Sequence, residues 1–528
     1  MTPAATARGP RPPGHPAPVD VASAGTARTD VVAVARHDAP VRLTEGALEA
    51  MAASRAAVER LAAAPEPAYG ISTGFGALAT RHIPPDLRDE LQVSLIRSHA
   101  AGMGGPVERE VVRALMFLRT KTLASGRTGA RPLLAETFAA MLNAGITPVV
   151  PEHGSLGCSG DLAPLAHCAL VMMGEGEVLA ADGSSRVPAA RALSAAGIPP
   201  VRLAAKEGLA LINGTDGMLG MLVLAVADLE LLVRTVDVTA AMSVEALLGT
   251  DQAFRPELHE PLRPHPGQAV SADNMYRVMA NSAIVASHRT GDPRVQDAYS
   301  CRCAPQVAGA VRDTVSHAAT VAERELAAAI DNPVVLDSGD VSSNGNFHGA
   351  PLGYVMDFLA IAIADLGSMA ERRTDRLLDR ARSHGLPPFL AADPGVDSGL
   401  MIAQYTQAAM VSENKRLAAP ASVDSIPSSA MQEDHVSMGW SAGRKLRRAV
   451  ANLRRILAVE LVTAARALEL RAPLAPAPAT AAVVAALRER VPGMGRDRFT
   501  SPELVAAEEL IAAGRVLDAA AVAGCPIR

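Results

Sequence analysis

Apolar residues recur every three or four positions over long stretches of this chain. Between 441 and 471, Leu446, Val450, Leu453, Leu457, Leu461, Ala464 and Leu468 form one stripe, the spacing of a helix face turned toward a core. Such a helix is about 45 Å long at about 1.5 Å per residue, which predicts a bundle of rods rather than a sheet sandwich. Similar patterns predict helices over 108–123, 216–248 and 354–380, and Ser501 before Pro502 and Glu503 opens another near the end. Near the start a β-like run, 31–35, leads through 41–43 into a helix capped by Thr44. The expected fold is therefore mainly α: a long-helix bundle with a smaller mixed N-terminal region. We expect one catalytic domain over 31–528, loop-rich to about 210 and a helical bundle after it.

Glycine- and serine-rich stretches fall between the rods, at 69–76, 153–160, 213–217 and 342–349. Loops on a rigid scaffold are where reactive groups are displayed, so function is expected there. No internal repeat is found.

Composition sharpens this picture. Hydrophobic residues make up 49% of the 528 positions but aromatics only 3%, so the core must be built from Ala, Leu and Val, which suits close-packed helices. The 50 basic and 55 acidic residues are interspersed, which offers no polycation to nucleic acid or to an anionic membrane. The most apolar stretch, 217–227, is stopped by Asp228 short of the about 20 residues a membrane span requires. Residues 1–30 carry six prolines and no apolar core of a secretory signal, and are expected to be a disordered tail. Five cysteines without a C-x-x-C pair fit a reducing cytoplasm, and Cys301 with Cys303 reads as two packed thiols rather than a metal site.

The chemistry concentrates in GSLGCSGDLAPLAH, 154–167. In Cys158-Ser159-Gly160 the Gly160 nitrogen can attack the Cys158 carbonyl, a close approach that a residue without Cβ permits. Loss of two waters then makes Ser159 an exocyclic methylidene on an imidazolone ring. Such a ring is a strong organic electrophile, which ordinary side chains do not supply.

With CAL added, the run 154–170 resembles the signature of the aromatic amino acid lyases, a family of ammonia-lyases and aminomutases. Further motifs follow in the family's order. YGISTGFG holds Tyr69, SLIRSHAAG holds Ser98 and His99, and LINGTDG holds Asn213. QDAYSCRCAPQV holds Gln296, Tyr299 and Arg302, SSNGNFHG holds Phe347, and SVDSIPSSAMQEDHVSMG holds Gln432 and Glu433. The family's usual tripeptide is Ala-Ser-Gly. Cys158 departs from it without removing anything the ring needs, because only that residue's backbone carbonyl enters the ring.

The resemblance implies a 4-methylidene-imidazol-5-one group formed autocatalytically from Cys158, Ser159 and Gly160, with no metal and no nucleotide. It implies that Tyr299 removes the substrate's β-proton, and that Tyr69, on a mobile loop, assists proton transfer and closes the site. Arg302 would grip the substrate carboxylate, Asn213 would help hold developing negative charge, and Gln296 and Phe347 would position the substrate. His99 and Glu433 could together bind an imidazole by donor and acceptor hydrogen bonds. Relatives selective for phenylalanine or tyrosine generally differ at these positions, which points to L-histidine as substrate and to trans-urocanate and ammonia as products. A homotetramer with shared active sites is implied as well. A phenylalanine or tyrosine lyase or an aminomutase is the nearest alternative, and a helical scaffold with the tripeptide uncyclised is the alternative of another class.

Overall fold

The computed structural model describes residues 16–64, 66–180, 183 and 185–528. Long helices dominate, including Asp216–Ala246, Ala304–Ala327, Ala350–Leu378 and Gly439–Glu469, each between 24 and 31 residues. The chain divides into two compact units rather than at one boundary near 210. The first holds the described residues up to Leu224 with Val321–Gly353 and Ser422–Ser441; the second holds Ala225–Thr320, Tyr354–Ala421 and Ala442–Arg528.

In the first unit, short helices alternate with two- and three-stranded pieces of sheet. Val19–Val21 pairs in parallel with Val41–Leu43, and Met103–Pro106 pairs antiparallel with Pro151–His153. The expected tail to residue 30 is corrected here: a strand starts at Val19 and a helix at Arg28, while residues 1–15 lie outside the description. The β-like run 31–35 is also corrected, since it lies inside the helix Arg28–His37. Its buried positions Val31, Val34 and Ala35 have helical spacing, which prevails over β propensity once one face is packed. Thr44 caps Glu45–Ala63 as expected, its side chain accepting from Ala47 N at 3.3 Å.

Arg109–Ala124 is buried from Val111 onward, charged residues included. Arg113 donates to Val34 O and Leu142 O, and Arg119 forms a buried ion pair with Asp216 and bonds Ala210 O at 3.1 Å. Such partners offset the cost of burying a guanidinium group.

The second unit is the bundle the periodicity predicted. Leu446, Val450, Leu453, Leu457, Leu461, Ala464 and Leu468 are all 2% exposed or less. Truncating any of these leucines to alanine removes about 2–5 kcal/mol of burial and packing. Glu460, fully buried on the same helix, accepts from Thr239 Oγ1 at 2.9 Å and Ser243 Oγ at 3.0 Å and pairs with Arg373. Ala350–Leu378 is long and apolar enough to cross a membrane by length and composition, but 61% of its most apolar window is buried within the protein, as in a core helix.

Candidate active site

The 154–160 loop joins the strand Pro151–His153 to the helix Leu162–Met172, and Asp161 locks it in place. Asp161 Oδ1 accepts from Ser155 Oγ at 2.9 Å, and Oδ2 accepts from Gly217 N and Met218 N, both at 2.9 Å. One side chain thereby satisfies orphan N–H groups at the start of Asp216–Ala246, while Asp161 N donates to Gly214 O at 2.7 Å. Burial pushes the Asp161 carboxyl up to about 7.

Between these anchors the backbone is compressed. Gly160 has φ +75°, and a Cβ there would meet Gly214 O at 2.1 Å. Gly157 O accepts from Ser437 Oγ at 2.7 Å and from Gly349 N at 3.0 Å, which holds the other end of the tripeptide. Only glycine fits position 160, and the contact presses its backbone against Gly214.

Ser159 Oγ donates to Glu433 Oε1 at 2.7 Å, and the Cys158 thiol to Oε2 at 3.1 Å. Ser428 Oγ adds a third donor, on Oε2 at 3.0 Å. Burial, with Glu433 beside it, pushes the Cys158 thiol up to about 12, so it stays protonated and serves as a donor rather than a nucleophile.

A cavity of about 920 Å³ opens over these groups, and its wall includes Tyr69, His99, Cys158, Ser159, Asn213, Phe347 and Glu433. His99 is the last residue of Arg88–His99, and its Nδ1 lies 2.9 Å from Leu95 O. A carbonyl can only accept, so Nδ1 carries the proton and Nε2 is left as an acceptor. Burial lowers the His99 pKa, opposed by the Leu95 hydrogen bond and by the charge of Glu433. Tyr69 Oη accepts from Gly76 N at 3.2 Å within its own turn-rich loop. Asn213 closes Glu207–Ile212, is 4% exposed, and its Oδ1 has no hydrogen-bond partner among the described residues.

Gln296, Tyr299 and Arg302 do not line this cavity; they form a separate cluster in the second unit. The Arg302 guanidinium sits 4.7 Å over the Tyr299 ring and donates to Gln296 Oε1 at 2.7 Å. Tyr299 is 70% exposed. Position three residues apart on one short helix, Tyr299–Arg302, brings the phenol and the guanidinium together.

Two further wall residues were not singled out from sequence: His348 and His435 stack with centroids 5.3 Å apart, Nδ1 of His435 lying 3.3 Å from Nε2 of His348. Both sit within two positions of residues that were named, Phe347 and Glu433, and that adjacency was the available signal. Asp161, next to the tripeptide, was likewise passed over; its role depends on helix ends that no spacing reveals.

Comparison with known proteins identifies the family. The aromatic amino acid lyase profile matches residues 27–489. A histidine ammonia-lyase of Streptomyces griseus is 68% identical over 504 residues, 95% of this chain and 98% of the relative. Among solved structures, a tyrosine aminomutase from Streptomyces globisporus superposes with a TM-score of 0.91 at 38% identity, covering 96% of this chain and 98% of its own. A histidine ammonia-lyase from Trypanosoma cruzi gives 0.87 at 36% identity, covering 96% and 95%. The chain belongs to the aromatic amino acid lyase family.

Proposed function

We propose that this chain deaminates L-histidine without oxidation, giving trans-urocanate and ammonia as the first step of histidine degradation. The observation that carries the reading is the wall of one cavity, where His99 and Glu433 stand beside Ser159. Deamination requires breaking a carbon–nitrogen bond and a β carbon–hydrogen bond, and the second is hard without an electron sink.

The electrophile in this reading is the imidazolone formed from Cys158, Ser159 and Gly160. The residues present fit it: Gly160 is pressed against Gly214 where a Cβ would be excluded, and the buried Asn213 Oδ1 lacks a hydrogen-bond partner among the described residues. When formed, the group supplies an electrophilic methylidene carbon that the twenty side chains do not offer.

His99 Nε2 accepts the substrate ring N–H, and Glu433 fixes the ring's other side. Asn213 orients the substrate near Ser159, and Tyr69 assists proton transfer at the edge of the cavity. Arg302 binds the substrate carboxylate in a two-pronged grip, and Tyr299, with the guanidinium 4.7 Å from its ring centroid, takes the β-proton. Gln296 holds Arg302 through its 2.7 Å hydrogen bond.

In this reading the Gln296, Tyr299 and Arg302 cluster reaches a substrate through assembly, in a homotetramer with shared sites acting in the cytoplasm. Two facts support assembly: Tyr299 is 70% exposed, and Tyr354, Phe358 and Ile361 leave an apolar stripe uncovered along Ala350–Leu378. The test is urocanate formation followed by absorbance, with wild type and Ser159→Ala each offered L-histidine, L-phenylalanine and L-tyrosine. Urocanate from wild type alone sustains the reading. Preference for phenylalanine or tyrosine would move the assignment to another member of the family.

A further inference from the structure

The donors on the Glu433 carboxylate differ in whether they outlast ring formation. Oε1 accepts from Ser159 Oγ at 2.7 Å, the oxygen that leaves if the tripeptide closes. Oε2 accepts from Cys158 Sγ at 3.1 Å and from Ser428 Oγ at 3.0 Å, and neither of those atoms enters the ring. We propose that Cys158 is a specificity-determining positioning residue: its thiol, with Ser428, pins Oε2 of Glu433 and so presents Oε1 to the substrate's imidazole. The inference rests on the reading that L-histidine is the substrate.

A glutamate side chain has several rotatable bonds, and freezing them on binding costs affinity. A ring N–H also needs its acceptor at hydrogen-bond distance and in line. A carboxylate fixed through one oxygen is already ordered when the substrate arrives, while the lone pairs of the other oxygen stay available.

Ser428 by itself is a local hold, because it belongs to the same turn as Glu433. Ser428 N donates to Glu433 O at 2.9 Å and Glu433 N to Ser428 O at 3.3 Å. Between them Ser429, Ala430 and Met431 have φ of 52°, 51° and 68°, a left-handed backbone that side-chain-bearing residues rarely adopt. Cys158 reaches Glu433 from 275 positions away, and its hydrogen bond ties this turn to the loop that carries Ser159. Both residues stand on the wall of the same cavity.

A thiol suits this task. Burial, with Glu433 beside it, pushes the Cys158 thiol up to about 12, so it keeps its proton and remains a donor at neutral pH. An alanine at this position would fill part of the same space and donate nothing.

The experiment is calorimetric affinity of the full chain for L-histidine in a Ser159→Ala parent, which lacks the reactive group and leaves Oε1 free of Oγ. Cys158→Ala, Cys158→Val and Cys158→Ser are added to that parent, with circular dichroism confirming the fold of each. Loss of one hydrogen bond to the carboxylate should raise Kd about threefold to tenfold in Cys158→Ala and in Cys158→Val, which keeps bulk without a donor. Cys158→Ser, which keeps a donor, should bind within about twofold of the parent. An unchanged Kd in Cys158→Ala overturns the proposal. So does a Cys158→Ser that binds no better than Cys158→Val, since the thiol would then only fill space. Should the parent not fold, KM for L-histidine is measured for the same three substitutions beside an intact Ser159, and the same two outcomes overturn the proposal there. A folded parent that binds L-phenylalanine or L-tyrosine but not L-histidine overturns the substrate reading instead, and this inference with it.

Discussion

The Asp161 carboxylate accepts a hydrogen bond from Met218 N at 2.9 Å, tying the residue after the tripeptide to the first turn of a 31-residue helix. Its burial has a pH signature. The carboxyl is held at about 7 against an ordinary 3.8, so the folded chain binds this proton more tightly than the unfolded one. Asp161's contribution is therefore full below pH 3.8 and is lost as pH rises through about 7. Asp161→Asn should flatten that part of the profile, gaining stability relative to wild type across this window. Urea denaturation at a series of pH values checks it, and parallel curves for the two proteins would refute it.

His99 acts in the proposed chemistry as a neutral acceptor, with Nδ1–H spent on Leu95 O. Because burial lowers its pKa below the ordinary 6.5, it keeps that state down to pH values under 6.5. His99→Leu should cut kcat/KM for L-histidine by about 1–3 kcal/mol, roughly fivefold to 150-fold, by leaving the substrate N–H unpaired. It should spare kcat/KM for L-phenylalanine. Equal losses on both substrates would show that His99 does not read the ring.

Gly160→Ala places a Cβ 2.1 Å from Gly214 O at a φ of +75°. Neither backbone segment is the flexible end of a side chain, so the strain should exceed about 1 kcal/mol and the tripeptide should be pushed off its seat. A lowered melting temperature together with an unchanged translated mass is expected. Full stability with two waters lost would mean that the close approach has no part in ring formation.

The shared sites proposed above predict complementation. Ser159→Ala and Tyr299→Phe should each be inactive alone, the first lacking the electrophile and the second the base. Mixed by co-expression, they should regain part of the wild-type rate, because some sites would pair an intact Ser159 with an intact Tyr299. Urocanate formation by the purified mixture measures this, and no recovery in a confirmed mixed oligomer would show that each site draws on one chain.

Periodicity alone fixed the long rods of this protein. Leu446 to Leu468 are buried as their spacing requires, because a 3.6-residue stripe has one way to leave water. The crowded glycine of the tripeptide was legible too, since the need for a missing Cβ is written in the residue itself. Local pattern failed at 31–35, where β-branched residues sit in a helix because Val31, Val34 and Ala35 face the core. The tertiary structure decided what distance along the chain hides: that Glu433 reaches both Cys158 and Ser159 across more than 270 positions, that Asp161 caps a helix beginning at Asp216, and that His348 stacks on His435. It also brought Gln296, Tyr299 and Arg302 into one cluster. The division has a physical reason: backbone period and bonded chemistry act over a few residues, whereas a hydrogen bond between distant side chains exists only once packing has closed the loop between them.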